Sequence, residues 1–146
     1  MSIDDGVIAT LNSKAEPVAA TAASPGEFNI QVSLNGVPLG WLTNGGGPEY
    51  WIVAVPNRSE GTTWTQISTS DEGIYLKKST NNYLSYRSNH VVFQDGLKMR
   101  DWATAAKWKL EGKHLRCLDN DQLVGRDGDS FYCNGKNVVD VEFSPV

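Results

Sequence analysis

An all-β domain is the fold class this sequence predicts, and three observations predict it. Glycine is abundant, with 14 residues beside 6 prolines, and much of it follows Asn, Asp or another Gly, the pairs that supply the positive φ of tight turns. Between those pairs lie short segments rich in β-branched and aromatic side chains, several alternating apolar and polar with period two. Hydrophobic residues make up 40% of the 146-residue chain and charged ones 21%, which is enough apolar mass for the core of one domain. With only Cys117 and Cys133 present, that core rests on packing and not on a disulfide scaffold.

The elements follow in chain order. Residues 1–26 form an N-terminal extension, or a first strand at Gly6 to Leu11 followed by a linker, since Ser13 to Gly26 is Ala, Ser, Thr and Pro-rich; residues 27–146 form the single domain. Phe28 to Leu34 alternates as a strand and ends at Asn35-Gly36, a hairpin signal. Trp41-Leu42 leads to Asn44-Gly45 and the glycine run, followed by the apolar stretch Trp51 to Val55 and by a strand around Trp64. A second set begins at Gly73 to Lys77 and continues through Tyr83-Leu84, Val91-Val92-Phe93 and the turn pair Asp95-Gly96. Met99, Trp102, Ala103, Ala106 and Leu110 fall at helical spacing and predict a helical turn before the strand around Trp108. A third set runs from His114 to Leu118, through Gln122-Leu123 and turns at Asp127-Gly128 and Asn134-Gly135, to a strand over Val138 to Phe143.

These sets are approximate copies of one another. Each opens with a strand, carries an aromatic or polar residue before Leu (Trp41-Leu42, Tyr83-Leu84, Gln122-Leu123), and closes on a bulky ring at Trp64, Trp108 or Phe143, at a period of about 40 residues. Three such units resemble the β-trefoil fold, which implies three four-stranded repeats building a six-stranded barrel with a hairpin cap; a short β-sandwich is the structural rival. One repeat cannot bury its closing ring alone, so three must converge on a shared core.

Within the third unit, Cys117-Leu118-Asp119 followed by Phe131-Tyr132-Cys133-Asn134-Gly135 is similar to a repeat of the ricin-B-type lectins. The resemblance implies that Cys117 and Cys133 bridge neighbouring strands, that Asp119 accepts hydrogen bonds from sugar hydroxyls, and that Phe131 or Tyr132 stacks on the pyranose, with Asn134, Asn137 or Asp140 as secondary polar contacts. Such chemistry also stands on its own, because one carboxylate can bind vicinal hydroxyls in pairs and a ring can cover a sugar's apolar face. The closing triplets lack the Gln of that family's Gln-x-Trp, and the first two units lack both the cysteines and the Asp. Asp119, Asp121, Asp127 and Asp129 also read as ordinary turn residues. Rim residues beside the first two hairpin tips, Trp41 and Asn44 in one and Tyr86 and Asn89 in the other, complete the candidate carbohydrate-binding set.

Other classes find less support. With 13 Lys and Arg against 17 Asp and Glu and no basic run, a phosphate-tracking nucleic-acid surface is not expected. No apolar stretch approaches the roughly 20 residues that span a bilayer, so membrane insertion is not expected. His90 and His114 stand alone, the acids miss the EF-hand spacing, and neither a nucleophile elbow nor a phosphate loop is present, so no metal, cofactor or catalytic role is expected. Asn57-Arg58-Ser59 is a glycosylation sequon, meaningful only in a secreted protein. Met1 to Asp5 carries acid where a secretory leader carries base, which points to a cytoplasmic protein or to non-classical secretion. The expected function is a non-enzymatic lectin whose partners are glycans or glycoproteins, with a homodimer left open. The alternatives are a trefoil protease inhibitor, using Pro48 to Trp51 or Pro56 to Gly61 as its loop, and a fascin-like cytoskeletal interaction domain.

Overall fold

Asn35 and Gly36 both adopt positive φ, 52° and 82°, and so turn Glu27–Leu34 (β1) back onto Val37–Asn44 (β2), with Leu34 opposite Val37. The computed structural model describes residues 26–45, 51–69, 71–89 and 94–146. After β2 come Ile52–Val55 (β3), a single 3-10 turn at Arg58–Glu60 (η1) and Trp64–Ser68 (β4). The next group is Ile74–Ser79 (β5), Asn82–Asn89 (β6), Gln94–Arg100 (β7), a second 3-10 turn at Trp102–Thr104 (η2) and Trp108–Glu111 (β8). The last is His114–Cys117 (β9), Gln122–Leu123 (β10), Gly125–Asp127 (β11), Ser130–Tyr132 (β12), Asn137–Val138 (β13) and Asp140–Pro145 (β14). The chain is all-β, its paired strands are antiparallel, and among the described residues there is no α-helix.

Pairing runs from β14 to β1, from β1 to β4, and then through β5 and β8 to β9. The hairpins β2–β3, β6–β7 and β11–β12 stand off this path. Between β14 and the β8–β9 turn a hydrogen bond joins Val141 N to the Lys113 carbonyl at 2.7 Å, and the sheet stays open there instead of closing through a ladder.

The core sits inside this path. Alternation along the strands turns Ile30 and Val32, Leu76, and Leu115 and Cys117 inward, and all of them are buried. Leu42, Leu84 and Val124 join them, and Trp64 and Trp108 fill the centre with no exposed surface. Truncating a ring of that size in such a setting typically costs about 3–5 kcal/mol. Phe143, the third closing ring, is only partly buried and stacks on Phe28, with centroids 4.6 Å apart and planes at 16°. The expected helical turn before Trp108 is η2, capped by Asp101, whose side chain accepts from Thr104 N. Its counterpart η1 is held by Arg58, which donates to Asn29 Oδ1 at 2.8 Å and to the carbonyls of Ser144 and Pro145 at 3.0 and 2.6 Å. Asn29, itself buried, donates to the Thr62 carbonyl, so no buried amide is left without a partner there.

Several local expectations change. Asp95-Gly96 is not a turn but part of β7, with Gly96 opposite Arg87, because the Trp51 ring packs on the glycine: a Cβ there would come within 2.7 Å of Trp51 Cζ3. The strand expected over Val138 to Phe143 breaks at Val139, whose N–H bonds to the Val124 carbonyl and so divides β13 from β14. The β8–β9 turn falls at Gly112, φ 62°, which no dipeptide signal marked. The strands expected at Gly6 to Leu11 and at Val91-Val92-Phe93, and residues 46–50 of the glycine run and loop, lie outside the described residues. Among the described residues no helix is long and apolar enough to cross a membrane.

Two glycines separate soft from hard packing. Gly135 lies so close to Gly125 that a Cβ would enter the backbone of Gly125 and Arg126, whereas at Gly96 the obstacle is a side chain. Gly135→Ala is therefore expected to destabilise the protein by about 3 kcal/mol and Gly96→Ala by about 1–2 kcal/mol. Urea unfolding midpoints check this, and a Gly135→Ala protein as stable as the parent would contradict the backbone approach.

Candidate functional site

Cys117 ends β9 with its side chain buried, and the Cys133 thiol first, then the backbone N–H groups of Asn120 and Asp119, hold its thiol below the ordinary value against the opposing effect of burial. Its carbonyl accepts from Asp121 N at 2.8 Å. The turn 118–121 thus wraps around one cysteine, and Asp121 takes positive φ, 60°, as Asp tolerates better than most residues. Asn120 stiffens the turn further: its Oδ1 accepts from Gln122 N at 3.1 Å and its Nδ2 donates to Asp95 Oδ2 on β7 at 3.2 Å. From the other side, Asn134 Oδ1 accepts from Asp95 N at 2.9 Å, and Cys133 N donates to the Asp95 carbonyl at 2.8 Å. Asp95 is therefore the joint at which the second hairpin meets two loops of the third group. The Cys117 and Cys133 side chains touch as free thiols. Their expected bridge is not formed, although the pair lies side by side in the core.

This scaffold holds Asp119 out in solvent, and among the described residues no hydrogen bond or ion pair engages its carboxylate. Its charge reaches two half-buried tyrosines, Tyr86 on β6 and Tyr75 on β5. Burial first, and then the Asp119 charge with Cys117, Cys133 and Asp95, push the Tyr86 phenol up to about 12. Tyr75 is raised for the same leading reason, with Asp119 and Asp71 adding to the shift and Lys107 opposing it. Both hydroxyls are thus protonated donors at neutral pH, and neither has a hydrogen-bond partner among the described residues. Lys107, whose stem packs over Gly73 just before β5, pairs with Asp71 Oδ2 at 2.8 Å. That bond, with a second from Thr69, holds Asp71 well below the usual carboxylate range. The result is an acceptor with no partner among the described residues, within electrostatic reach of two such donors and of a cation already neutralised.

Of the residues expected in a sugar site, Asp119, Tyr86 and Asn134 come together, Asn134 as scaffold. Phe131 and Tyr132 do not serve as a platform: they are 3% and 7% exposed in β12, Phe131 inside the core cluster and Tyr132 covered on the opposite face of the strand. Asn137 lies on β13 and donates to the Arg126 carbonyl at 3.3 Å. Asp140 starts β14, 3.4 Å from His114 Nε2, and lines a separate cavity of about 420 Å³ with Gln31, Ser33, Lys113 and Glu142. Trp41 carries the Arg58 guanidinium over its ring at 4.9 Å, which covers one face. Asn44 ends β2 far along the first hairpin and Asn89 ends β6. Tyr75, Asp95, Asn120 and Lys107 were not expected in a site. Tyr75 had a signal, since it alternates with inward Leu76 and must face out, whereas Asp95 reads as a turn residue until β7 is paired. Among the described residues no three His, Cys, Asp or Glu side chains gather as a metal site.

No family model, curated protein or solved structure matches the chain.

Two measurements follow from this geometry. A phenol raised above its unfolded value stabilises the fold fully below that value and loses the contribution as pH climbs past it. Stability should therefore fall between about pH 10, where unfolded tyrosine ionises, and about pH 12, where folded Tyr86 does. Tyr86→Phe should remove that part of the loss in alkaline denaturation. Both thiols, wholly buried, should resist a thiol reagent in the folded protein and react together on unfolding. Rapid modification of the native protein would contradict their burial.

Proposed function

We propose that the protein is a non-enzymatic carbohydrate-binding module built as a β-trefoil, and that it engages glycans at the seam between its second and third units. Three features support the architecture. The pairing path β14, β1, β4, β5, β8, β9 accounts for six barrel strands, and the three off-path hairpins account for a cap. In addition, η1 and η2 each precede a buried closing Trp by the same interval.

The observation that carries the function is the exposed Asp119 carboxylate, without a partner among the described residues and near enough to Tyr75 and Tyr86 for its charge to raise both phenols. A pyranose offers neighbouring hydroxyls, each both donor and acceptor, and a patch of C–H surface. The carboxylate takes two hydroxyl protons, the phenols give theirs to ring or hydroxyl oxygens, and a tyrosine face covers the C–H patch. Tyr86 replaces the buried Phe131 and Tyr132 as the stacking ring. No nucleophile stands beside a base here, so binding without turnover is the matching activity. The alternative inhibitor loop Pro56 to Gly61 is pinned through Arg58 to the carbonyls of Ser144 and Pro145, an arrangement that does not favour insertion into a protease cleft.

A glycan array followed by calorimetry on its hits tests the proposal. Asp119→Ala, on an exposed turn, should leave the unfolding midpoint unchanged and weaken binding at least tenfold, the loss of charge-assisted hydrogen bonds being worth about 1.5–3 kcal/mol. Binding that is indifferent to this substitution, or no glycan bound at all, would overturn it.

A further inference from the structure

Beyond the Asp119 seam, the outward face of β5 continues as a strip with its own ring at the far end. Gly73 begins it: a Cβ there would strike the Lys107 stem and approach Leu118, the neighbour of Asp119, so the floor of the seam and the start of β5 are one surface. Two residues on, Tyr75 points to the same side, since alternation places positions 73, 75 and 77 on one face. Trp102 of η2 then leans edge-on against Tyr75, with centroids 4.6 Å apart and planes at 67°, while its other neighbour is the buried Tyr83 at 5.3 Å. Trp102 is itself only partly buried, and η2 is anchored by Asp101 and by Asn81 Oδ1, which accepts from Trp102 N at 2.8 Å. At about 3.3 Å per residue, the stretch from Gly73 to Lys77 is roughly 13 Å long. That is more than one pyranose and close to two linked ones.

We propose that the binding site has two sugar subsites, one at Asp119 and Tyr86 and a second on the Tyr75–Trp102 ring pair, so that its ligand class is an uncharged glycan of at least two linked residues. The proposal rests on the carbohydrate reading above and extends it. Charge favours the class: Lys107 is already neutralised by Asp71, Asp119 and Asp95 are acids, and the phenols give neutral donors, so the first subsite presents no unpaired cation to a sialic or sulfated sugar, while Lys77 at the far end of the strip lies over the Tyr83 ring, 5.8 Å from its centroid. The first subsite orients the ligand through its hydroxyls. The second adds apolar cover on a preformed ring pair whose backbone needs no ordering on binding.

The test titrates the full chain with four pairs of probes: glucose and cellobiose, galactose and lactose, mannose and mannobiose, N-acetylglucosamine and chitobiose. For at least one pair, the disaccharide should bind about five- to tenfold more tightly than its monosaccharide. Trp102→Ala should bring that disaccharide down to the monosaccharide level while leaving the monosaccharide unchanged. Trp102→Leu, which keeps an apolar side chain against Tyr83 while removing the ring, should do the same and guards against a folding defect in the first variant. Equal affinities for both members of every pair, or loss of monosaccharide and disaccharide alike in both variants, would overturn the second subsite and leave the first standing. A preference for sialylated or sulfated glycans on the array would overturn the ligand class. No binding of any probe, on the array or in solution, would remove the carbohydrate reading and this proposal with it.

Discussion

The structure depends on one constraint: none of its short strands can bury its apolar side on its own. β1 offers Ile30 and Val32, β5 offers Leu76, and β9 offers Leu115 and Cys117, each too few to exclude water as a separate hairpin. They become a core because Trp64 and Trp108 close over them from β4 and β8, reached only after the chain has left the hairpin between. Trp108 goes further and donates its indole N–H to the Leu84 carbonyl at 3.1 Å, which ties the closing ring to the second hairpin of its own group. Turn positions, strand lengths and hairpin placement all serve that convergence.

Within this common plan the groups diverge in ways that locate the candidate site. Position for position, Arg58 over Trp41 in the first group matches Trp102 beside Tyr83 in the second, each the opening residue of a 3-10 turn meeting a ring on the preceding hairpin. Arg58 is committed to the chain's last carbonyls and to Asn29, so it fastens β1, η1 and β14 together. Trp102 has no such duties and keeps part of its ring at the surface beside Tyr75. The third group has no 3-10 turn, ends on a half-buried Phe143, and puts its polar turn around Cys117. Half-buried rings and an exposed carboxylate therefore lie on the second and third groups, while in the first the Arg58 guanidinium covers Trp41.

The legible and illegible parts divide along range. Turn signals at Asn35-Gly36 and Asp127-Gly128, alternation in β1 and the helical spacing before Trp108 are local properties of a few consecutive residues, and they come out as read. Asp95-Gly96 fails for the opposite reason: its glycine answers to Trp51, more than forty residues earlier, which needs room that only a missing side chain leaves. The site divides likewise. Asp119 and Tyr86 were visible as an acid in a turn and a ring beside a hairpin tip, but their nearness depends on Asn120 and Asn134 both holding Asp95. Phe131 and Tyr132 looked equally suited to stacking, and only the burial of β12 separates them from Tyr86.

By itself the sequence determined an all-β chain of three approximate units, because strand alternation, turn chemistry and a recurring Leu and closing ring are written in adjacent residues. It also determined which residue types were available for recognition, namely an acid, amides and many rings without a basic run. Only the tertiary structure decided which rings went inside, that Cys117 and Cys133 lie together as thiols, and that Asp119 stands near enough to Tyr75 and Tyr86 for its charge to raise both phenols. Those outcomes rest on contacts between segments far apart in the chain, whose partners are chosen by packing and by the need to satisfy buried polar groups, and no local pattern encodes that choice.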